Sequence, residues 1–230
     1  MEPYANDYYR ELDPGSRRSA ETIVPLVLDL VPTRSVVDVG AGLGSWLSVF
    51  VDHGIHDVLA IDGVDPEPHE LRISTSCFER RDLTQPFELG REYDLALSLE
   101  VAEHLPAESS AGFVASLVRL APVVLFSAAI PFQGGTNHLN EQWPSYWASL
   151  FARHGFLPVD CLRRKIWADD SVEWWYAQNL LVYAREDVLD ANPRLRSERD
   201  LTGPAPLSLV HPRKYLFCIE WGTSLAGRGK

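Results

Sequence analysis

The chain has 230 residues, 46% hydrophobic and 23% charged, a size and balance that suit one globular domain with a sizeable core. Its formal charge of −11 argues against a nucleic-acid partner, which needs clustered lysine and arginine, and against anionic membranes. Cys77, Cys161 and Cys218 are too scattered for a zinc site or a disulfide framework and suit a reducing, cytoplasmic setting.

The polar opening Met-Glu-Pro-Tyr-Ala-Asn-Asp is not expected to act as a signal peptide, and no apolar run reaches membrane-spanning length. After a Pro14-Gly15 break, the spacing of Ile23, Val24, Val27, Leu28 and Val31 predicts a helix over 16–31, capped by Ser16 or Ser19. A buried strand at 35–39 enters the turn Gly40-Ala41-Gly42-Leu43-Gly44, and a helix follows at 43–53. A second strand, 57–61, ends at Asp62-Gly63. Pro66 and Pro68 keep any helix in 62–76 short, and a third strand at 77–81 leads to Asp82-Leu83.

The fourth strand, 93–99, runs into Glu100-Val101-Ala102-Glu103-His104-Leu105-Pro106. A helix at 107–120, a strand at 122–127, a polar loop at 128–141 and a helix at 142–154 come next. The runs 156–163 and 174–184 predict a closing antiparallel pair. On such a strand Trp174 and Trp175 face opposite sides, so one should meet a cover segment or a second subunit of a homodimer. The proline-bearing stretch 186–230 is expected to wrap the domain of 1–185, whose N-terminal helix forms a cover, rather than to make a second domain.

Alternating strands and helices imply an α/β fold: a doubly wound, mostly parallel sheet with a terminal antiparallel hairpin and helices on both faces. Ligands then sit at the carboxyl ends of the strands. The first three predicted strands each lead into an acid there: Asp38, Asp62 and Asp82. The Gly-x-Gly-x-Gly spacing places Ser45 where a nicotinamide fingerprint has its third glycine.

These features resemble motif I and the following strand ends of class I S-adenosylmethionine-dependent methyltransferases. Glu100-Val-Ala-Glu103-His104-Leu-Pro106 resembles the small-molecule branch that includes the ubiquinone-biosynthesis O-methyltransferases. The resemblance covers about residues 30–185 and implies a seven-stranded sheet. It implies cofactor contacts from Asp38, Gly40, Ala41, Gly42, Gly44, Asp62, Gly63, Asp82, Leu83 and Glu100. Asp38 would serve the methionine end, Asp62 the ribose hydroxyls, and Asp82 and Leu83 the adenine.

The candidate catalytic residues are His104, His138 and Glu103, with either histidine able to take a hydroxyl proton from a small-molecule acceptor. The same branch associates Glu100, Glu103 and His104 with a divalent cation such as magnesium, and His138 or Glu141 could complete that shell. The acceptor is expected to be a hydroxyl, or an amine, of a sugar, glycan precursor or secondary metabolite. The alternatives are a nicotinamide-dependent oxidoreductase, since Asp62 alone suits either cofactor, and a non-catalytic binding protein of the same fold.

Overall fold

The computed structural model describes residues 6–203 and 206–227; the segment on which the signal-peptide reading rests lies largely outside them. The first helix, α1 (Asn6–Leu30), begins well before residue 16 and passes through Pro14, Gly15 and Pro25. Both prolines lie on its exposed side, where the carbonyls they leave unpaired can meet water. Ser16 and Ser19 are therefore interior positions rather than caps, and Ser19 Oγ donates back to the Gly15 carbonyl at 2.7 Å. Ala20, Ile23, Val24, Val27 and Leu30 make the buried face.

The chain continues through β1 (Ser35–Val39), α2 (Ser45–Asp52), β2 (Asp57–Asp62) and β3 (Phe78–Arg80). It then forms β4 (Leu95–Leu99), α3 (Ser110–Leu120), β5 (Val123–Ser127), α4 (Pro144–Ala152) and β6 (Phe156–Val159). The stretch 62–76 holds no α-helix; a single 3-10 turn, Thr75–Cys77, precedes β3. The sheet has seven strands in the order β3-β2-β1-β4-β5-β7-β6, where β7 is Leu181–Arg185. The pairs among β1 to β5 are parallel, and β7 runs antiparallel to both β5 and β6.

The predicted closing pair is present but shorter than its apolar runs. Residues 163–166 are helical, α5 (Arg163–Ile166), and so are 174–179, α6 (Trp174–Asn179). Trp174 and Trp175 thus sit on the first turn of a helix, their rings edge to face at 5.6 Å, and strand alternation does not apply to them. Three more helices follow, α7 (Glu186–Ala191), α8 (Pro193–Thr202) and α9 (Pro212–Gly227). Pro193 and Pro212 open helices, where a missing N–H costs nothing, and the Asn192 side chain accepts from the Leu195 N–H.

β1, β4 and β5 are buried along their whole length, as strands covered on both faces must be. Alternate residues feed two cores. Val36, Leu95, Leu97, Val123 and Leu125 pack with α1 and α2. Val37, Val39, Ala96, Val124 and Phe126 pack with α3 and α4 on the other face. Each buried Val, Leu, Ile or Phe contributes about 1.5–3 kcal/mol. The result is a rigid sheet whose carboxyl edge carries loops free to bind a ligand.

Candidate active site

A cavity of about 570 Å³ lies at the carboxyl ends of β1, β2 and β4, in the size range of small-molecule sites, ~300–1,000 Å³. Asp38, Gly40, Ala41 and Gly42 border it from the glycine turn, and Leu12, Asp13 and Ser16 of α1 line it too. Trp175 and Tyr176 bring α6 to the same space.

The turn has to be glycine. Gly40, Gly42 and Gly44 take φ of 86°, 53° and 77°, and a Cβ at Gly40 would lie 2.3 Å from Val101 Cγ2. The Gly40 and Ala41 N–H groups donate to the Ile61 carbonyl at 2.7 and 3.1 Å. Asp62 braces the same turn: Oδ2 accepts from the Gly42 N–H at 2.8 Å and Oδ1 from the Val64 N–H at 3.0 Å. Asp38, only 3% exposed, borders the cavity. Burial, and then the neighbouring Asp62 charge, push its carboxyl up to about 7. Asp82 is exposed; Oδ1 accepts from the Thr84 hydroxyl at 2.6 Å and N–H at 2.9 Å, which holds its carboxyl below the usual range.

A second cluster stands behind β4. Glu100 adopts φ 56°, a strained conformation for a long side chain. Its carboxylate accepts from Gln133 Nε2 at 2.9 Å and Asn179 Nδ2 at 3.1 Å, and burial pushes it up. Gln133 also receives Gln178 Nε2 at 3.0 Å, and its carbonyl accepts from the buried Lys214 at 2.7 Å. Glu103 is fully buried. Neither carboxylate oxygen meets a donor at full hydrogen-bond geometry; the N–H groups of Glu103 and Ala129 lie near enough to favour the charged form slightly, and the Glu100 carboxylate lies near enough to favour a shared proton. Burial and the Glu100 charge raise its carboxyl well above the ordinary range.

His104 borders the cavity, and burial together with His138 lowers its imidazole to about 4, so the ring is neutral at pH 7. The His138 ring meets it edge to face at 4.8 Å. His138 Nδ1 lies 2.8 Å from Glu141 Oε1, a bond that sets the tautomer of the ring. Glu141 also accepts from the N–H groups of Phe132 and Gly134 at 2.6 and 2.8 Å, so one carboxylate organises the loop after β5. Glu103, His104 and His138 each place a ligand atom within 4.8 Å of the others.

Asp38, Gly40, Ala41, Gly42, Asp62, Gly63, Asp82, Leu83, Glu100 and His104 all border the cavity. Gly44 does not; it is the left-handed residue before α2. Glu103 and His138 are not among the bordering residues; His138 adjoins the cavity through its ring contact with His104. The sequence reading missed Asp13, which accepts from the Ser45 hydroxyl and pairs with Arg72, and the amides Gln133 and Asn179. Distant segments meet there, and no local pattern marks such meetings. The Glu141 hub was legible only as a possible ligand.

A glycine turn, strand-end acids and a seven-stranded sheet with this strand order define a Rossmann-like nucleotide-binding fold. Residues 9–165 match a family described as "Methyltransferase domain", and the chain belongs to that family. No curated protein matches the chain at the level of sequence. Among solved structures, the magnesium protoporphyrin IX methyltransferase of Synechocystis is similar at 19% identity and TM-score 0.52, over 75% of this chain and 85% of that one. The sugar N-methyltransferase of a Streptoalloteichus species is similar at 16% identity and TM-score 0.57, over 73% and 87%. The Burkholderia thailandensis 1,6-didemethyltoxoflavin-N1-methyltransferase is similar at 23% identity and TM-score 0.51, over 75% and 79%. At these identities the likeness concerns the fold.

Proposed function

We propose that the chain transfers the methyl group of S-adenosylmethionine to a hydroxyl, or an amine, of a small metabolite such as a sugar, glycan precursor or secondary metabolite. The observation that carries this reading is the cavity over the glycine turn, bordered in strand order by Asp38, Asp62 and Asp82. Asp38 faces the methionine end, Asp62 braces the turn beside the ribose, and Asp82 with Leu83 serves the adenine. The similar enzymes of Synechocystis and Burkholderia were solved with S-adenosylhomocysteine bound. The catalytic domain runs to residue 185, and the described residues from 186 onward are an extension packed on it.

In the reaction the acceptor oxygen attacks the methyl carbon as the carbon–sulfur bond breaks, and the sulfonium becomes a neutral thioether. His138, aligned by Glu141, takes the hydroxyl proton. His104 stays neutral and orients the acceptor, because burial disfavours its charged form. Calorimetry with S-adenosylhomocysteine against NAD tests the cofactor: binding of the former alone is expected, and binding of NAD alone overturns the reading. His138→Ala should lower turnover by about 10²–10⁴-fold with S-adenosylhomocysteine affinity unchanged.

The unpartnered oxygens of Glu103 favour one second reading, a divalent cation held by Glu103, His104 and His138. One carboxylate and two imidazoles suit manganese, iron or zinc better than magnesium, which prefers oxygen donors. A cation there would acidify the acceptor hydroxyl. Glu100 and Glu141 would not join it, since amide and backbone donors occupy their carboxylates. Loss of turnover in a chelator, restored by manganese or zinc, would establish this reading.

A further inference from the structure

Carboxylates crowd the cavity wall, and most of them are already matched. Asp13 pairs with Arg72, Asp62 accepts two backbone N–H groups, and Asp82 accepts from Thr84. Asp38 falls to the methionine end of the cofactor in the proposed reaction. Glu100 is left over. It borders the cavity just past the end of β4. The donors that hold its oxygens are neutral amides, Gln133 Nε2 at 2.9 Å and Asn179 Nδ2 at 3.1 Å. Among the described residues, Arg80 is the one arginine or lysine on the cavity wall, and it is drawn to Asp65 at 3.1 Å.

This carboxylate is firmly placed. Glu100 takes φ 56°, and its N–H is pinned to Ser127 of β5, at 3.0 Å from the carbonyl and 3.1 Å from the hydroxyl. Strain that the surroundings enforce in this way collects at ligand sites. The amides that receive the side chain are themselves buried, and Asn179 Nδ2 also donates to Gln133 Oε1 at 2.9 Å. Asn179 ends α6, and Tyr176 stands three residues earlier on the same helix face and borders the cavity. Burial, with a smaller push from the Glu100 charge, raises the Tyr176 hydroxyl to about 12, so the two groups are neighbours. The Tyr176 ring in turn meets two others that border the cavity, Trp46 edge to face at 5.2 Å and Trp175 at 6.0 Å. A carboxylate and a run of three rings thus make one side of the cavity.

Such a wall recognises basic nitrogen. A desolvated carboxylate without a counter-charge is costly, an amine N–H relieves that cost, and aromatic rings attract a cation. Asn179 takes one lone pair of Glu100 Oε1 and leaves the other for a ligand donor. We infer that Glu100, with Trp46, Tyr176 and Trp175 beside it, seats the amino group of the methyl acceptor, so that the acceptor is an amine rather than an alcohol. This rests on the methyl-transfer reading and narrows its acceptor class. An ammonium in solution sheds one proton to water before it reacts. The bound amine donates an N–H to Glu100 and keeps its lone pair for the methyl carbon. As the carbon–nitrogen bond forms, the carbon–sulfur bond breaks and its electron pair stays on sulfur. The sulfonium becomes a neutral thioether, and the nitrogen becomes an ammonium that keeps its protons. Positive charge moves from sulfur to nitrogen, and Glu100 and the rings stabilise it where it arrives.

The test uses the full chain and two probes of one shape, benzylamine and benzyl alcohol, each titrated with and without saturating S-adenosylhomocysteine. The variants are Glu100→Gln, which keeps the size of the side chain and removes its charge, and Trp175→Leu, which removes a ring at a half-buried position. Urea melts check that both fold. Benzylamine is expected to bind about tenfold or more above benzyl alcohol. Glu100→Gln should bring that ratio close to one, with benzyl alcohol and S-adenosylhomocysteine affinities unchanged. Trp175→Leu should lower the ratio about two- to fivefold. Equal binding of the two probes to the parent, or an intact ratio in Glu100→Gln, overturns the inference; should Glu100→Gln fail to fold, an intact ratio in Trp175→Leu does so. A Glu100→Gln protein that loses affinity for S-adenosylmethionine but not for S-adenosylhomocysteine, with the probe ratio intact, gives the carboxylate to the sulfonium and also overturns it. So does benzylamine that displaces S-adenosylhomocysteine, which would put the amine in the cofactor's own place. Failure of S-adenosylhomocysteine to bind strikes the methyl-transfer reading instead, and the probes titrated without it still judge the seat.

Discussion

Single residues at the carboxyl edge of the sheet set the charge state of the site. Asp38 has a folded-state pKa of about 7 against an ordinary 3.8, so the native state binds an extra proton between those values. Stability from this group therefore falls as pH rises from about 4 to 7, and Asp38→Asn should flatten that slope in urea melts recorded across the range. On the proposed role of Asp38 at the methionine end, a ligand ammonium would favour the carboxylate, and S-adenosylhomocysteine affinity should strengthen as pH rises through about 7 and level off above it. Calorimetry in buffers of different ionisation heat should show proton release on binding, absent in Asp38→Asn. Gly40→Ala asks for a Cβ 2.3 Å from the buried Val101 side chain at a φ of 86°. It should cost about 1–3 kcal/mol in a urea melt and abolish cofactor binding.

Whole elements reach the site through a few side chains. α1 is fastened over the glycine turn by Asp13, which receives Ser45 Oγ from the first residue of α2 and pairs with Arg72. Asp13→Ala leaves Ser45 and a guanidinium without their acceptor and should cost about 1–3 kcal/mol, read as a lower melting temperature. It should also speed S-adenosylhomocysteine dissociation in stopped flow. The strands were readable because two-sided burial demands β-branched runs such as Val36-Val37 and Val123-Val124. The strand-end acids were readable because the sheet edge follows directly from those runs. α6 was misread because Trp174-Trp175-Tyr176 carries strand propensity, and tertiary packing overrode it. The start of α1 was missed because Pro14-Gly15 breaks most helices, and only the burial of the opposite face shows why it does not break this one. Asp62 braces the glycine turn, a role set by turn geometry that no spacing records.

At the scale of the molecule, the extension after residue 185 is built into the fold. Arg163 is 1% exposed; it pairs with Asp160 at 2.6 Å and donates to the carbonyls of Gln178 at 3.1 Å and Leu207 at 2.7 Å. Arg163→Met strands a carboxylate and two carbonyls and should cost about 3–5 kcal/mol, read as one cooperative loss in calorimetry. The stitching of α1 to the far end of the chain has a consequence for synthesis. Asn192 Nδ2 bonds the Leu30 carbonyl at 2.7 Å, Arg194 pairs with Asp29, and the Glu173 N–H donates to Ser19 Oγ at 3.0 Å. α1 leaves the ribosome early, yet these partners emerge only after most of the chain has been translated. Its apolar face must wait through much of translation, and the pairing of Asp29 with Arg194 closes a loop of 165 residues, a costly step in chain entropy.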